Sequence, residues 1–258
     1  MRNTFKKMLA TPYALFMALF VILPIILIAV YAFIDSDGAF TLLGNFKELA
    51  KEKSLDNVIK NSVIAGLSTS VICLLIGYPI AYYLTKKEFN RTGVMIGLFL
   101  VPMWVNFLLR MMSTKAVFGV LGIPLGMGTV IYGLCYEFLP FMIMPIYTTL
   151  LKIDKMYLEG AEDLGATPTK AFWKVTVPLS IPGVISGLTM VIIPSVTTFA
   201  VSEILSDNKI KLLGDFIYNL KAYNLNMASA ISLVLMVLLA VSMIITNKFN
   251  DEEGGGLW

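Results

Sequence analysis

The chain has 258 residues, 57% of them hydrophobic and only 14% charged, with a formal net charge of +3 and no histidine. A soluble domain carries about 25% charged residues, so the deficit points to a bilayer, and the small net charge offers a nucleic-acid partner no electrostatic support. The lack of histidine excludes imidazole zinc sites and histidine acid–base catalysis.

The N-terminal "MRNTFKKMLA" is basic and leads into an apolar run over about Pro12–Ile34. That run exceeds the roughly 7–15 residues of a cleavable signal core, so it reads as a retained membrane helix. The segment Asp35–Asn57 follows, and its "NFKELAKEKSLDNVIK" has helical periodicity and balanced charge. It predicts a short helix on the outer surface. Five further stretches reach the roughly 20 apolar residues needed to span a bilayer. They are about Val58–Leu84, Gly93–Ser113, Thr129–Leu151, Ile181–Val201 and Tyr223–Thr246. Prolines 24, 79, 102, 140, 145 and 194 fall inside spans, where neighbouring helices can satisfy the freed carbonyls. Cys73 and Cys135 lie in apolar segments without metal-ligand spacing and read as small core residues. The tail "NDEEGGGLW" predicts a frayed end. The fold class expected is all-α, a polytopic membrane protein with six transmembrane helices.

With the N-terminus inside, Arg2, Lys6, Lys7, Lys86, Lys87, Arg91, Lys152, Lys155, Lys170, Lys174 and Lys248 are inner, eleven of the 20 lysines and arginines. Positive charge near helix ends sets orientation. The compact basic "RNTFKK" and "KKEFNR" therefore favour both termini in the cytosol of a multi-pass cell-membrane protein.

Between the fourth and fifth spans runs "YLEGAEDLGATPTKAFWKVTVPLSIPGV", Tyr157–Val184. Asp154 can cap a helix beginning at Lys155. Tyr157, Ala161, Leu164 and Gly165 share one face, and Lys155, Glu159, Glu162 and Asp163 the other. Gly165 ends or bends this helix. Thr167 then Pro168 restart one, "TKAFWKV" forming a short second helix with Phe172 and Trp173 as anchors. Pro178 is expected to stop it, with Ser180 and Pro182 opening the next span. A loop helix lying at the headgroups is one reading, but such helices are usually basic on the polar face and this one starts acidic. A helix–turn–helix docking into a groove on a protein partner is the other.

The stretch "EGAEDLGATPTKAFWKVTVPLSIPGV" resembles the EAA motif of permease subunits of ATP-binding-cassette importers of type I. Glu159, Gly160 and Ala161 fill the Glu-Ala-Ala triplet, with Gly160 a departure to another small residue, and Gly165 is in register. Further matches, "LVPMWVNFLLRMMS", "LCYEFLPFMIMPIYTTLLKID" and "TFAVSEILSDNKIKLLGDFI", are similar to spermidine/putrescine importers, whose first (B-type) permease fits best. The resemblance implies that the first helix is a cytosolic coupling helix seated in a groove of an ATPase, with Glu159, Gly160, Ala161, Asp163, Leu164, Gly165 and Ala166 as coupling residues. It implies residues 1–57 as first helix and outer loop, 58–249 as the transporting domain and 250–258 as a cytosolic tail. The partners implied are a second permease, two ATPase subunits that bind ATP and magnesium, and an extracytoplasmic polyamine-binding protein. Same-family permeases for ferric iron, thiamine or phosphonates share much of this framework. A stand-alone secondary transporter would need no such docking helix.

No GxxxxGK[ST] phosphate loop is present, and no catalytic constellation, so the chain is not expected to be an enzyme or to hold a cofactor or metal of its own. Charges inside spans are functional candidates. Glu137 lies about eight residues into the fourth span and Glu203 at the end of the fifth, with Trp104, Asn106, Tyr132, Tyr136 and Phe199 at similar depth. Carboxylates and aromatic faces suit an organic polycation. The alternative for Glu137 is a structural ion pair with Arg110. Glu203 can equally be an interfacial charge facing water, and the aromatic residues packing or belt residues.

Overall fold

The structure, a computed structural model, describes residues 12–13, 15–35, 38–86 and 94–254, with side chains to residue 244. Arg2, Lys6, Lys7, Lys87, Arg91, the side chain of Lys248 and the last four residues lie outside the described residues. Two compact units are formed, Met1–Asp56 with Phe216–Ala240, and Asn57–Asp215 with Val241–Trp258.

In the first unit, helix α1 (Leu15–Ala32) is apolar and exposed nearly all round, the pattern of a helix whose solvent is lipid. Its C-terminal carbonyls need partners. Asn45, 2% exposed in α2 (Gly44–Lys51), supplies them: its Nδ2 donates to the carbonyls of Ala32 and Ile34, both at 2.9 Å. The predicted outer-surface helix thus exists as α2. It stops at Lys51, and α3 (Leu55–Thr85) begins ahead of the expected Val58.

The second unit is built on α3 and α6 (Met127–Lys152). One core cluster joins Ala65 of α3, Val130 and Leu134 of α6, and Met111 and Phe118 of α5 (Phe107–Val120). Val201 and Leu205 of α9 (Ala200–Ser206) complete it. The other joins Cys73 and Ala81 of α3, Met142, Ile143 and Ile146 of α6, and Val191 of α8 (Pro168–Thr197). Helices α6 and α8 approach closely because Gly183 and Gly187 face α6. A Cβ on Gly183 would meet the Pro145 carbonyl oxygen at 2.9 Å, and one on Gly187 the Met142 carbonyl oxygen at 3.2 Å. Small residues four apart bring membrane helices together because lipid tails give apolar surfaces no reason to associate, leaving van der Waals contact to do it.

Among the described residues, five helices are long and apolar enough to cross a membrane, or six if one bent pair counts as a single span. That pair corrects the third expected span. Val94–Trp104 (α4 with its closing 3-10 turn) and α5 meet at 88°. Val105 and Asn106 are extended there, with ψ of 138° and 129°, and the Asn106 carboxamide caps α5 by accepting from the N–H groups of Leu108 (2.9 Å) and Leu109 (3.4 Å).

The short second helix of the linker is also corrected. Pro178 does not end it; α8 runs unbroken from Pro168 to Thr197. A π turn at Phe172–Thr176, in which the Val177 N–H reaches back to the Phe172 carbonyl, widens the helix just before Pro178. The extra residue relieves the clash a proline ring makes with the carbonyl four residues back. The fifth span ends earlier than predicted, because Thr198 is extended (ψ 150°) and separates α8 from α9. Two more helices complete the chain, α10 (Leu213–Leu220) and α11 (Leu225–Gly254). The tail expected to fray is helical through Gly254.

Candidate functional site

Helix α7 (Lys155–Asp163) follows α6 after a two-residue connection. Asp154 caps it as predicted, its carboxylate accepting from the Met156 N–H at 3.0 Å. The end is closed by two backbone bonds, Gly165 N–H to the Glu162 carbonyl at 2.8 Å and Ala166 N–H to the Ala161 carbonyl at 2.9 Å. This paired closure needs a left-handed residue, and Gly165 has φ +79°. Thr167 then caps α8, its hydroxyl accepting from the Lys170 N–H at 3.4 Å.

The faces of α7 differ from the sequence assignment. Leu158 and Ala161 turn toward the chain and are half-buried, as is Ala166. Tyr157 and Leu164, placed on one face with Ala161 by periodicity, are exposed at 61% and 91%, beside Met156 at 73%. Glu159, Gly160, Glu162, Asp163 and Gly165 are exposed too, and among the described residues nothing lies within 4 Å of a Cβ on Gly160 or Gly165. Apolar and acidic side chains are therefore presented together on an open face.

The connection to the bundle is aromatic. Phe172 packs edge-on against Tyr82 (centroids 4.9 Å apart) and Tyr78 (6.1 Å) of α3. The Tyr78 hydroxyl donates to Ser180 Oγ at 2.8 Å, and Ser180 donates to the Val177 carbonyl at 2.8 Å. Of the two expected anchors, Phe172 is half-buried and Trp173 is 64% exposed.

Of the residues considered for a substrate path, the structure brings two, Glu137 and Tyr136, together around Arg110. Arg110, 6% exposed, pairs through Nη2 with Glu137 Oε2, and its guanidinium lies 5.3 Å from the Tyr136 ring centroid. Nε and Nη1 of Arg110 have no hydrogen-bond partner. Tyr132, one turn before Tyr136, packs edge-on to Phe118 at 5.2 Å. Trp104 (91% exposed) and Asn106 stand at the α4–α5 bend. Phe199 stands at the α8–α9 break, and Glu203 is an exposed residue of α9 rather than the close of a span.

Residues 40–251 match the family model described as "Binding-protein-dependent transport system inner membrane component". The chain belongs to this family. The permease is similar to the protein named spermidine/putrescine transport system permease protein PotB of Haemophilus influenzae, 32% identical over 272 residues that cover 96% of this chain and 95% of that protein. The protein of the same name in Escherichia coli is 32% identical over 248 residues, 86% of this chain and 90% of that one. Among solved structures, the permease shares its fold with a bacterial alginate importer (TM-score 0.66, 18% identity, 96% of each chain). It also shares it with the MetNI methionine transporter (TM-score 0.61, 16% identity, 78% of this chain and 98% of that one).

One buried acid of the permease carried no sequence signal. Asp215, 5% exposed in the first turn of α10, accepts from the Leu212 N–H at 2.9 Å and from the Ser202 hydroxyl. Burial pushes its carboxyl up from 3.8 to about 6, against the two hydrogen bonds that lower it. Ser62 of α3 accepts from the Leu213 N–H at 2.8 Å, and Ser206 from the Ile210 N–H at 3.0 Å. The loop between α9 and α10 is thus fixed by polar contacts between residues far apart in sequence. Leu158, Gly183 and Gly187 were missed as well. The glycine pair had a readable signal in the spacing of "GVISG".

Proposed function

We propose that the permease carries polyamines, spermidine or putrescine, across the cell membrane as half of the translocation pathway of an ATP-driven importer. The observation that carries this reading is similarity along nearly the whole chain to relatives named spermidine/putrescine permeases. The partners are a second permease, two ATPase subunits that bind ATP and magnesium, and an extracytoplasmic polyamine-binding protein. Both termini and α7 face the cytosol. Residues 58–249 act as the transporting domain. Glu159, Gly160, Ala161, Asp163, Leu164, Gly165 and Ala166 of the α7 segment couple to the ATPase. Its closure on ATP moves α7, and α8 carries the displacement into the bundle through Phe172 and Tyr82. Glu137, Tyr132, Tyr136, Trp104, Asn106, Phe199 and Glu203 border the path. Support for coupling comes from the open face of Met156, Tyr157, Gly160 and Leu164, which none of the described residues covers at Gly160.

The test is uptake of labelled spermidine and putrescine by cells with and without the chain, beside competition by ferric iron, thiamine and phosphonates. Loss of ATP-dependent amine uptake on deletion, with no competition by the other three, is the expected result. Unchanged amine uptake on deletion would overturn the substrate assignment.

A further inference from the structure

A cavity of about 540 Å³ opens where α3 and α6 end, beneath α7. Its polar wall carries Lys86 and Lys155, and among the described residues no carboxylate lines it. The Lys86 ammonium is held 5.0 Å from the centroid of Tyr82, another lining residue. Thr176 also faces the cavity, at 4% exposure, and its hydroxyl has no hydrogen-bond partner. Thr176 is the last residue of the π turn, and such turns are frequent at functional sites. Of the two described acids adjacent in sequence to lining residues, Asp154 is committed to the cap of α7 and Glu159 is exposed. Two cations and an unused hydroxyl select an anion with several oxygens. Thr85, whose hydroxyl donates to the Tyr82 carbonyl at 2.7 Å, is the other polar lining residue, and the remaining wall is aliphatic, from Leu150, Leu151, Ile153 and Leu158. Apolar surface that continues from a cationic pocket at the end of two spans fits an acyl chain leaving an anionic headgroup.

We propose that this cavity binds the phosphate of an anionic phospholipid, with Lys86, Lys155 and Thr176 on the headgroup and the four aliphatic residues on the chain. The site is distinct from the outward face of α7, and it stands whether or not the substrate is a polyamine. Its occupant touches α3, α6, α7 and α8 at once, so it joins the helix bearing the open face to the bundle.

The experiment titrates the purified full chain in uncharged maltoside micelles with dioctanoyl phosphatidylglycerol, dioctanoyl phosphatidylcholine and inorganic phosphate. Phosphatidylglycerol is expected to bind, and phosphatidylcholine at least about tenfold more weakly, since it carries no net charge. Lys86→Gln and Lys155→Gln should each weaken phosphatidylglycerol binding about fivefold. Thr176→Val should weaken it roughly tenfold, and Thr176→Ser should restore it. Circular dichroism and gel filtration identify a variant that fails to fold, and the wild-type comparison of lipids then decides alone. Equal binding of the two lipids, or no effect of the lysine changes in folded protein, would overturn the proposal. Inorganic phosphate binding as tightly as phosphatidylglycerol would overturn the lipid assignment.

Discussion

Gly165 has one reason to be glycine in its own conformation and a second under the proposed coupling. Its φ of +79° costs a Cβ-bearing residue about 1 kcal/mol, and an ATPase groove seated on α7 would leave no room for bulk. Asparagine tolerates the left-handed region better than alanine does. If conformation dominates, Gly165→Asn should keep the ATPase through purification and Gly165→Ala should lose part of it. Equal loss in both would make close approach the reason. For Glu137, the pairing with Arg110 predicts that Glu137→Gln lowers thermal stability by roughly 3 kcal/mol, the cost of stranding a buried charge. Polyamine uptake should fall roughly tenfold as well if the carboxylate also meets the substrate. Adding Arg110→Gln should recover stability but not uptake; recovery of both would take Glu137 out of the path. Asp215 yields a pH signature. Its folded value of about 6 lies above the unfolded 3.8, so the folded state holds the proton more tightly. Stability should therefore fall as pH rises from about 4 to 6, by roughly 2–3 kcal/mol, and level off above. The same melting series on Asp215→Asn, which keeps an acceptor oxygen, should lose that slope; an unchanged slope would assign the effect to other groups.

At the level of elements, hydropathy read the spans well because a bilayer enforces both length and composition. The start and stop signals of α7 were legible for a related reason: Asp154 and Thr167 act through side-chain caps on adjacent backbone, and Gly165 and Pro168 through their own φ, so none needs a tertiary contact. What failed depended on neighbours. Pro178 is a helix stop in isolation, yet a π turn lets α8 continue through it. Periodicity put Tyr157 and Leu164 on one face with Ala161, but Leu158 and Ala161 are the residues that turn inward. The 88° bend between α4 and α5 fell in a stretch read as one span, although Pro102 and Asn106 stand at the break. Gly187→Val should force α6 and α8 apart and cost about 1–3 kcal/mol, read as a lower melting temperature of the purified permease. Phe172→Ala should leave α7 able to hold the ATPase while weakening its grip on α3. The expected result is normal co-purification of the ATPase with reduced transport per ATP hydrolysed, and unchanged coupling would show that Tyr78 and Ser180 suffice.

For the whole molecule, sequence and comparisons agree on a multi-pass transport permease, while its orientation rests on charge. Cysteine labelling in whole cells addresses that directly. Thr169→Cys, at the exposed start of α8, should react with an impermeant maleimide only after permeabilisation. Reaction in intact cells would invert the topology and place α7 out of reach of any cytosolic ATPase. The unbroken course of α8 has a mechanical consequence. Its 30 residues make a rod about 45 Å long, and Gly183 and Gly187 touch α6 near its midpoint. Phe172 and Val196 also touch α3 near the two ends; if the contact with α6 is nonetheless the pivot, α8 is a see-saw, and displacing the end joined to α7 swings the end at Thr197 the opposite way. Spin labels at Thr169 and Thr197, each measured against a fixed site on α6, should report opposite shifts when ATP binds, whereas shifts of the same sign would mean that α8 slides instead of pivoting.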